Sequence, residues 1–284
     1  MIRLGAGGWA AALLPERGAA FQSLTWQGRD VLAPIPEGAD PNAGFHGAFL
    51  MAPWTNRLQG GRIAVGGVEY RMPINRPHEG PKGGNALHGF LRDQAWRVEA
   101  QDDAAATFAV SASLAPFHCA ARMMVSLTEA GVSLAVTLEN TGDAPVPMGF
   151  GWHPWFARPE GTHLCFAAST VFGRDALNIA DDPRPGPGLY GAGAVLDGHD
   201  THFAGWDGQA AITWPDGTRF ALRAAGAWAG NLQVFAPTGG GVLCVEPVTH
   251  APDAANRPGN AAHGPMHLLA PGETLSAALT LHLA

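Results

Sequence analysis

Thirty-eight glycines and twenty-three prolines run through the whole length of this 284-residue chain instead of gathering in a few linkers. Proline removes a backbone donor and ends helices, and glycine weakens them, so the segments between these breaks are too short for long helices. Between the breaks the pattern has a period of two. Leu275, Ala277, Leu279, Leu281 and Leu283 alternate with Ser276, Ala278, Thr280 and His282. Such alternation gives a strand one apolar and one more polar face, so the chain is expected to finish in a β-strand.

Paired runs separated by turn residues predict hairpins. Arg62 to Val65 and Val68 to Met72 flank Gly66-Gly67. Ala211 to Trp214 and Thr218 to Leu222 flank Pro215-Asp216-Gly217, and Met124 to Thr128 pairs with Val132 to Leu138 across Glu129-Ala130-Gly131. Strands that recur with no helical pattern between them argue for an all-β fold, a large antiparallel β-sandwich, over a βαβ sheet. Neither an internal repeat nor a low-complexity tail is present, and residues 1–284 are expected to form one domain.

Charged residues make up only 14% of the chain and the formal net charge is −7. That leaves no basic footprint for nucleic acid or for an anionic membrane surface, and a small neutral partner fits better. Cys119, Cys165 and Cys244 are far apart with no CxxC pair, which predicts buried, unpaired thiols in a reducing compartment. The opening residues, Met1 to Leu14, contain a short apolar stretch interrupted by Gly5, Gly7 and Gly8. A first β-strand explains it as well as a signal peptide does, so a cytoplasmic location is expected.

Three local contexts offer chemistry. In Asn85-Ala86-Leu87-His88-Gly89-Phe90 an imidazole lies between apolar neighbours, beside a glycine that would permit close backbone approach by a ligand. In Gly149-Phe150-Gly151-Trp152-His153-Pro154-Trp155-Phe156 a histidine is held extended by the following proline and flanked by aromatic rings, which pack in a core or wall a sugar site. In Val242-Leu243-Cys244-Val245-Glu246-Pro247-Val248-Thr249 an apolar strand presents one carboxylate. A glutamate so placed is a candidate base with a raised pKa, or else an edge residue reaching solvent.

Weaker clusters are Asp197-Gly198-His199-Asp200-Thr201-His202 and His263-Gly264-Pro265-Met266-His267. Both offer ligand-type atoms, but the proline in the second breaks the helix that an i, i+4 metal pair needs, so no metal is expected. The runs Gly5 to Gly8 and Gly239 to Gly241 fit neither GxGxxG nor a phosphate loop and are expected to be turns.

Together these contexts resemble the aldose 1-epimerase (galactose mutarotase) family, in the family's order. Leu14-Pro15-Glu16-Arg17-Gly18 leading to Trp26 through Leu32 resembles its opening hairpin. Asn56-Arg57, followed by the glycine-rich hairpin to Asn75, resembles its substrate-facing arginine segment. Leu87-His88-Gly89 comes next, then Glu139-Asn140-Thr141 leading to His153-Pro154-Trp155-Phe156. Asp200-Thr201-His202-Phe203 with Gly205-Trp206-Asp207-Gly208 resembles the aspartate segment, and Glu246-Pro247 with Pro252, Ala254 and Asn256 resembles the segment of the catalytic glutamate.

The resemblance implies the family's large antiparallel supersandwich, a free monosaccharide as substrate and no cofactor. It implies Glu246 as base and His153 as acid, with His88 bonding the ring oxygen or a neighbouring hydroxyl. Asn56, Arg57 and Asp200 would hold hydroxyls, and Trp152 or Trp155 would stack on the sugar. Asp197 and Asp207 compete with Asp200 for the aspartate role. The preferred sugar stays open, as does the choice between monomer and homodimer. Three other readings remain: a hexose-6-phosphate 1-epimerase using Arg57, Arg62, Arg76 and Arg92, a non-catalytic carbohydrate-binding protein of the same fold, and a carbohydrate lyase or hydrolase on a similar sandwich.

Overall fold

The computed structural model describes residues 1–42, 44–75, 83–190 and 196–284. Arg76 lies outside the described residues. Among them, strands account for almost all regular structure; the α-helix Pro258–Ala261 and the 3₁₀ turn Leu91–Asp93 are short.

Two large antiparallel sheets dominate. The first has twelve strands among the described residues. Its main path runs Ile2–Ala6, Trp9–Leu14, Ala20–Trp26, Ala48–Met51, Gly151–Pro154, Val242–Val248, Asn231–Ala236, His199–Ala204, Thr170–Arg174 and Ala180–Pro185. The second has nine, with Phe117–Thr128, Gly131–Asn140, Thr274–Leu283 and Arg219–Gly226 side by side at its centre. One continuous apolar core draws on both, from Leu243 and Val245 on the first to Leu134, Leu222 and Leu279 on the second.

The local expectations can be followed strand by strand. Ala277, Leu279 and Leu281 of the final strand point into the core, while Ser276, Ala278 and Thr280 are exposed. Val65 pairs with Val68 across Gly66 and Gly67, both at positive φ, the geometry that a two-residue hairpin turn requires. Thr128 pairs with Gly131, so Gly131 opens the strand instead of ending the turn. Thr213 pairs with Arg219, and that strand runs on to Gly226. The opening segment is two strands, not one, because the chain reverses at Gly7 and Gly8. Cys119 and Cys244 are buried and free as expected, but Cys165 is only partly buried.

The strand Val242–Val248 is buried at every residue, so no alternation marks it. Its two faces nevertheless differ. Leu243 and Val245 join the main core, whereas Val242 and Cys244 pack with Trp155. Val248 packs with Ala20, Phe49 and Met51. Glu246 shares this second face, because side chains two apart on a strand point the same way.

Candidate active site

Cross-strand register assembles the site. Phe49 pairs with His153 and Gln233 pairs with Glu246, with His202 on the other side of Gln233. Gly151 pairs with Val248, so His153 and Glu246, two residues further along their antiparallel strands, share a face and meet. Five neighbouring strands thus contribute one row of side chains: Phe49, His153, Glu246, Gln233 and His202. In the adjacent row Cys244 pairs with Phe235 and Phe235 with Asp200.

His153 Nε2 lies 3.6 Å from Glu246 Oε1, and both side chains are more than nine-tenths buried. The imidazole is held between aromatic rings, with Phe49 stacked at 4.8 Å and Trp155 tilted at 4.8 Å. Burial pushes the Glu246 carboxyl well above the usual carboxylate range, and the neighbouring Asp200 charge raises it further while Arg174 opposes the shift.

A loop pair closes the site from the opposite side. The strand Arg57–Gln59 pairs with Asn85–Leu87, and Asn75 clamps it by bonding both the N–H and the carbonyl of Leu87. Asn56 and His88 both adopt left-handed backbone, with φ of 52° and 63°. His88 Nδ1 accepts the Asn56 N–H, so in the neutral ring the proton sits on Nε2. The His88 and His153 rings meet edge to face at 5.1 Å. Gly89 is required for a different reason from the one expected: a Cβ there would stand 1.9 Å from the Ala52 carbonyl oxygen, so the close approach is to backbone, not to a ligand.

These groups line a half-open cleft of about 190 Å³ together with Arg57, Arg92, Trp155, Phe45 and Phe235. It is small beside the roughly 300–1,000 Å³ clefts that take drug-sized ligands. Asp200 also lines it, whereas Asp197 pairs with Arg158 at another surface depression and exposed Asp207 caps its own turn by accepting from the Gln209 N–H. Trp152 faces the main core against Phe21 and Phe156, so of the two tryptophans only Trp155 reaches the cleft. Arg62 is exposed and does not line it.

Several residues here carried no signal of their own. Arg174 donates to the Asp200 carboxylate and to its backbone carbonyl, and Asn178 and Gln233 bond the same carboxylate at 2.9 and 2.8 Å. His250 receives the Thr55 N–H on Nε2 at 3.1 Å and donates from Nδ1 to the Ala251 carbonyl at 2.9 Å, which fixes the chain just before Asn56. Asp253 accepts the Gln59 N–H, and Arg257 reaches the Gln59 side chain. The segment after Glu246 therefore anchors the one that carries Arg57. The strands Ala48–Met51 and Asn231–Ala236 are buried at almost every position, so no alternation singles out Phe49 or Gln233.

Two large antiparallel sheets thus hold a buried histidine and glutamate against a small cleft. The chain belongs to the aldose 1-epimerase family, which it matches over residues 1–282. It is similar to the uncharacterized protein YphB of Escherichia coli K12, 25% identical over 255 residues, 83% of each chain. The crystal structure of a candidate aldose 1-epimerase from E. coli K12 superposes with a TM-score of 0.88 at 23% identity, covering 99% of this chain and 98% of the other. A galactose mutarotase-like protein from Clostridium acetobutylicum gives 0.85 at 19% identity, covering 99% and 94%. At these identities the structural likeness establishes the fold.

Proposed function

We propose that this protein is a mutarotase, a single-domain isomerase that interconverts the α and β anomers of a free aldose in the cytoplasm. The observation that carries the reading is the 3.6 Å approach of His153 Nε2 to Glu246 Oε1 on the wall of a sugar-sized cleft. Binding alone has no need of a buried, facing acid and base, whose desolvation is costly. Among the described residues no helix is long and apolar enough to cross a membrane.

In this mechanism Glu246 removes the proton from the anomeric hydroxyl while His153 delivers one to the ring oxygen, and the C1 to ring-oxygen bond breaks. The open aldehyde turns about C1 to C2 and closes on its other face, with the two proton transfers reversed. His88 donates from Nε2 to the ring oxygen or a neighbouring hydroxyl, supporting charge as it develops there. Asp200, held by Arg174, Asn178 and Gln233, accepts from hydroxyls; Asn56 and Arg57 bond others, and Trp155 offers an apolar face.

The test is anomer exchange, followed by NMR or polarimetry, on freshly dissolved glucose, galactose, xylose and arabinose. Wild-type protein is expected to accelerate exchange over buffer, and Glu246→Gln and His153→Ala are each expected to lose it by about 10²-fold or more. Arg57 and Arg92 on the cleft favour a second reading, in which the sugar carries a phosphate. Glucose 6-phosphate in the same assay decides between them.

A further inference from the structure

Among the described residues one group of three different metal-ligating side chains converges, and it sits within the cleft wall. The ligand atoms of His153, Cys244 and Glu246 all lie within 4.8 Å of one another, and all three residues are buried. Cys244 has no part in the proton transfers described above. It stands two residues before Glu246 on the strand Val242–Val248 and so points to the same face, beneath Trp155.

We infer that this triad is an inhibitory site for a thiophilic divalent cation of the zinc class, which would sequester the acid and base pair in competition with sugar. The geometry is close to what such an ion needs. Zinc holds nitrogen and oxygen at about 2.0–2.2 Å and sulfur at about 2.3 Å in a tetrahedron, which puts ligand atoms roughly 3.3–3.6 Å apart. His153 Nε2 and Glu246 Oε1 are already 3.6 Å apart. Cys244 Sγ has at most about 1.2–1.5 Å to close.

His153 and Glu246 line the cleft and Cys244 stands fully buried behind them, so a fourth position on the cleft side would be open to water or a sugar hydroxyl. A thiolate, an imidazole and a carboxylate together select a borderline-soft ion; magnesium and calcium prefer oxygen alone. Asp200 and Arg174 form an ion pair beside the group, and Arg57 and Arg92 line the same cleft. Binding requires Cys244 and Glu246 to give up their protons.

Cobalt(II) titration of the full-length protein reads the site directly, because a thiolate ligand adds a near-ultraviolet charge-transfer band. The band is expected in wild type, to be displaced by zinc, and to vanish in Cys244→Ala and in the closer isostere Cys244→Ser, which serves if the first does not fold. Zinc should inhibit anomer exchange in wild type, relieved by chelator and by excess sugar, with at least a ten-fold weaker effect in either variant. No band in wild type, or an unchanged band in a folded Cys244 variant, overturns the inference.

That the ion inhibits rests on the proposed function, whereas its binding does not. A Cys244-dependent band without exchange of any sugar would sink the mutarotase reading and keep the metal site. Exchange without the band would do the reverse.

Discussion

His88 and Asn56 hold each other through two hydrogen bonds: the His88 N–H reaches the Asn56 carbonyl at 2.9 Å, and the Asn56 N–H reaches His88 Nδ1 at 3.2 Å. One ring nitrogen is thereby committed to structure, and in the neutral ring the other carries the proton. A donor role and a folding role should therefore separate by substitution. His88→Ala is expected to lower kcat/KM by about 10²–10³-fold, as for the loss of one charge-stabilising donor. It should also cost about 1–3 kcal/mol, because the buried Asn56 N–H is left without an acceptor. His88→Asn, whose carbonyl oxygen can replace Nδ1, should recover the stability and not the activity. Thermal melts beside kinetics on both variants check this.

Gly149 sets the back of the site. A Cβ at this position would stand 2.3 Å from His250 Cδ2 and 2.4 Å from Thr249 Oγ1, both buried. His250 holds Thr55, so the displacement passes to Asn56 and Arg57. Gly149→Ala is expected to destabilise by about 1–3 kcal/mol, the usual cost of overpacking, and to raise KM more than it lowers kcat. Urea melts and initial rates across sugar concentration test it; an unchanged KM would show that His250 does not position the arginine segment.

Arg174 orients Asp200 and partly offsets the burial of Glu246. Arg174→Met is expected to raise KM by about ten-fold, equivalent to about 1.4 kcal/mol. Because a nearby positive charge is lost, the acidic limb of the pH profile for kcat/KM should move to higher pH. Rates measured across pH in both proteins are the check, and a profile that does not move would confine Arg174 to binding.

Two buried histidines control acid stability. Burial lowers His202 to about 3 and His250 to about 4, against an unfolded value near 6.5. The unfolded chain therefore binds protons that the folded one refuses. This contribution is complete above about pH 6.5 and is lost as pH falls through the folded values, at about 1.4 kcal/mol per pH unit for each histidine. Glu246, shifted upward, has the opposite sign and works against them. Stability should still fall between pH 6.5 and 4.5, and His202→Asn should flatten the slope in denaturant melts across that range.

Glu246 itself is predicted to cost stability. Its raised carboxyl favours the folded state at low pH, and that contribution disappears as pH rises through the folded pKa and the buried group must ionise. Glu246→Gln, while inactive, should therefore be more stable than wild type at alkaline pH by about 1 kcal/mol, in keeping with the cost active sites impose on folds. Melting temperatures at pH 6 and pH 9 decide it, with the gap expected to widen at the higher pH.

Glycine and proline spacing, together with period-two runs such as Leu275 to Leu283, determined the all-β class and several hairpins, because turns and strand faces are local properties of the chain. Local context also drew attention to His88, His153 and Glu246. Which aspartate lines the cleft, and why Trp155 reaches it while Trp152 faces the core, depended on register between strands far apart in sequence. So did the arrival of Phe49 and Gln233 beside His153 and Glu246, Arg174 behind Asp200, and Cys244 within reach of His153. A one-residue slip would turn each of these side chains to the opposite face, and no short stretch of sequence records that choice; it is made when both sheets bury their apolar faces together.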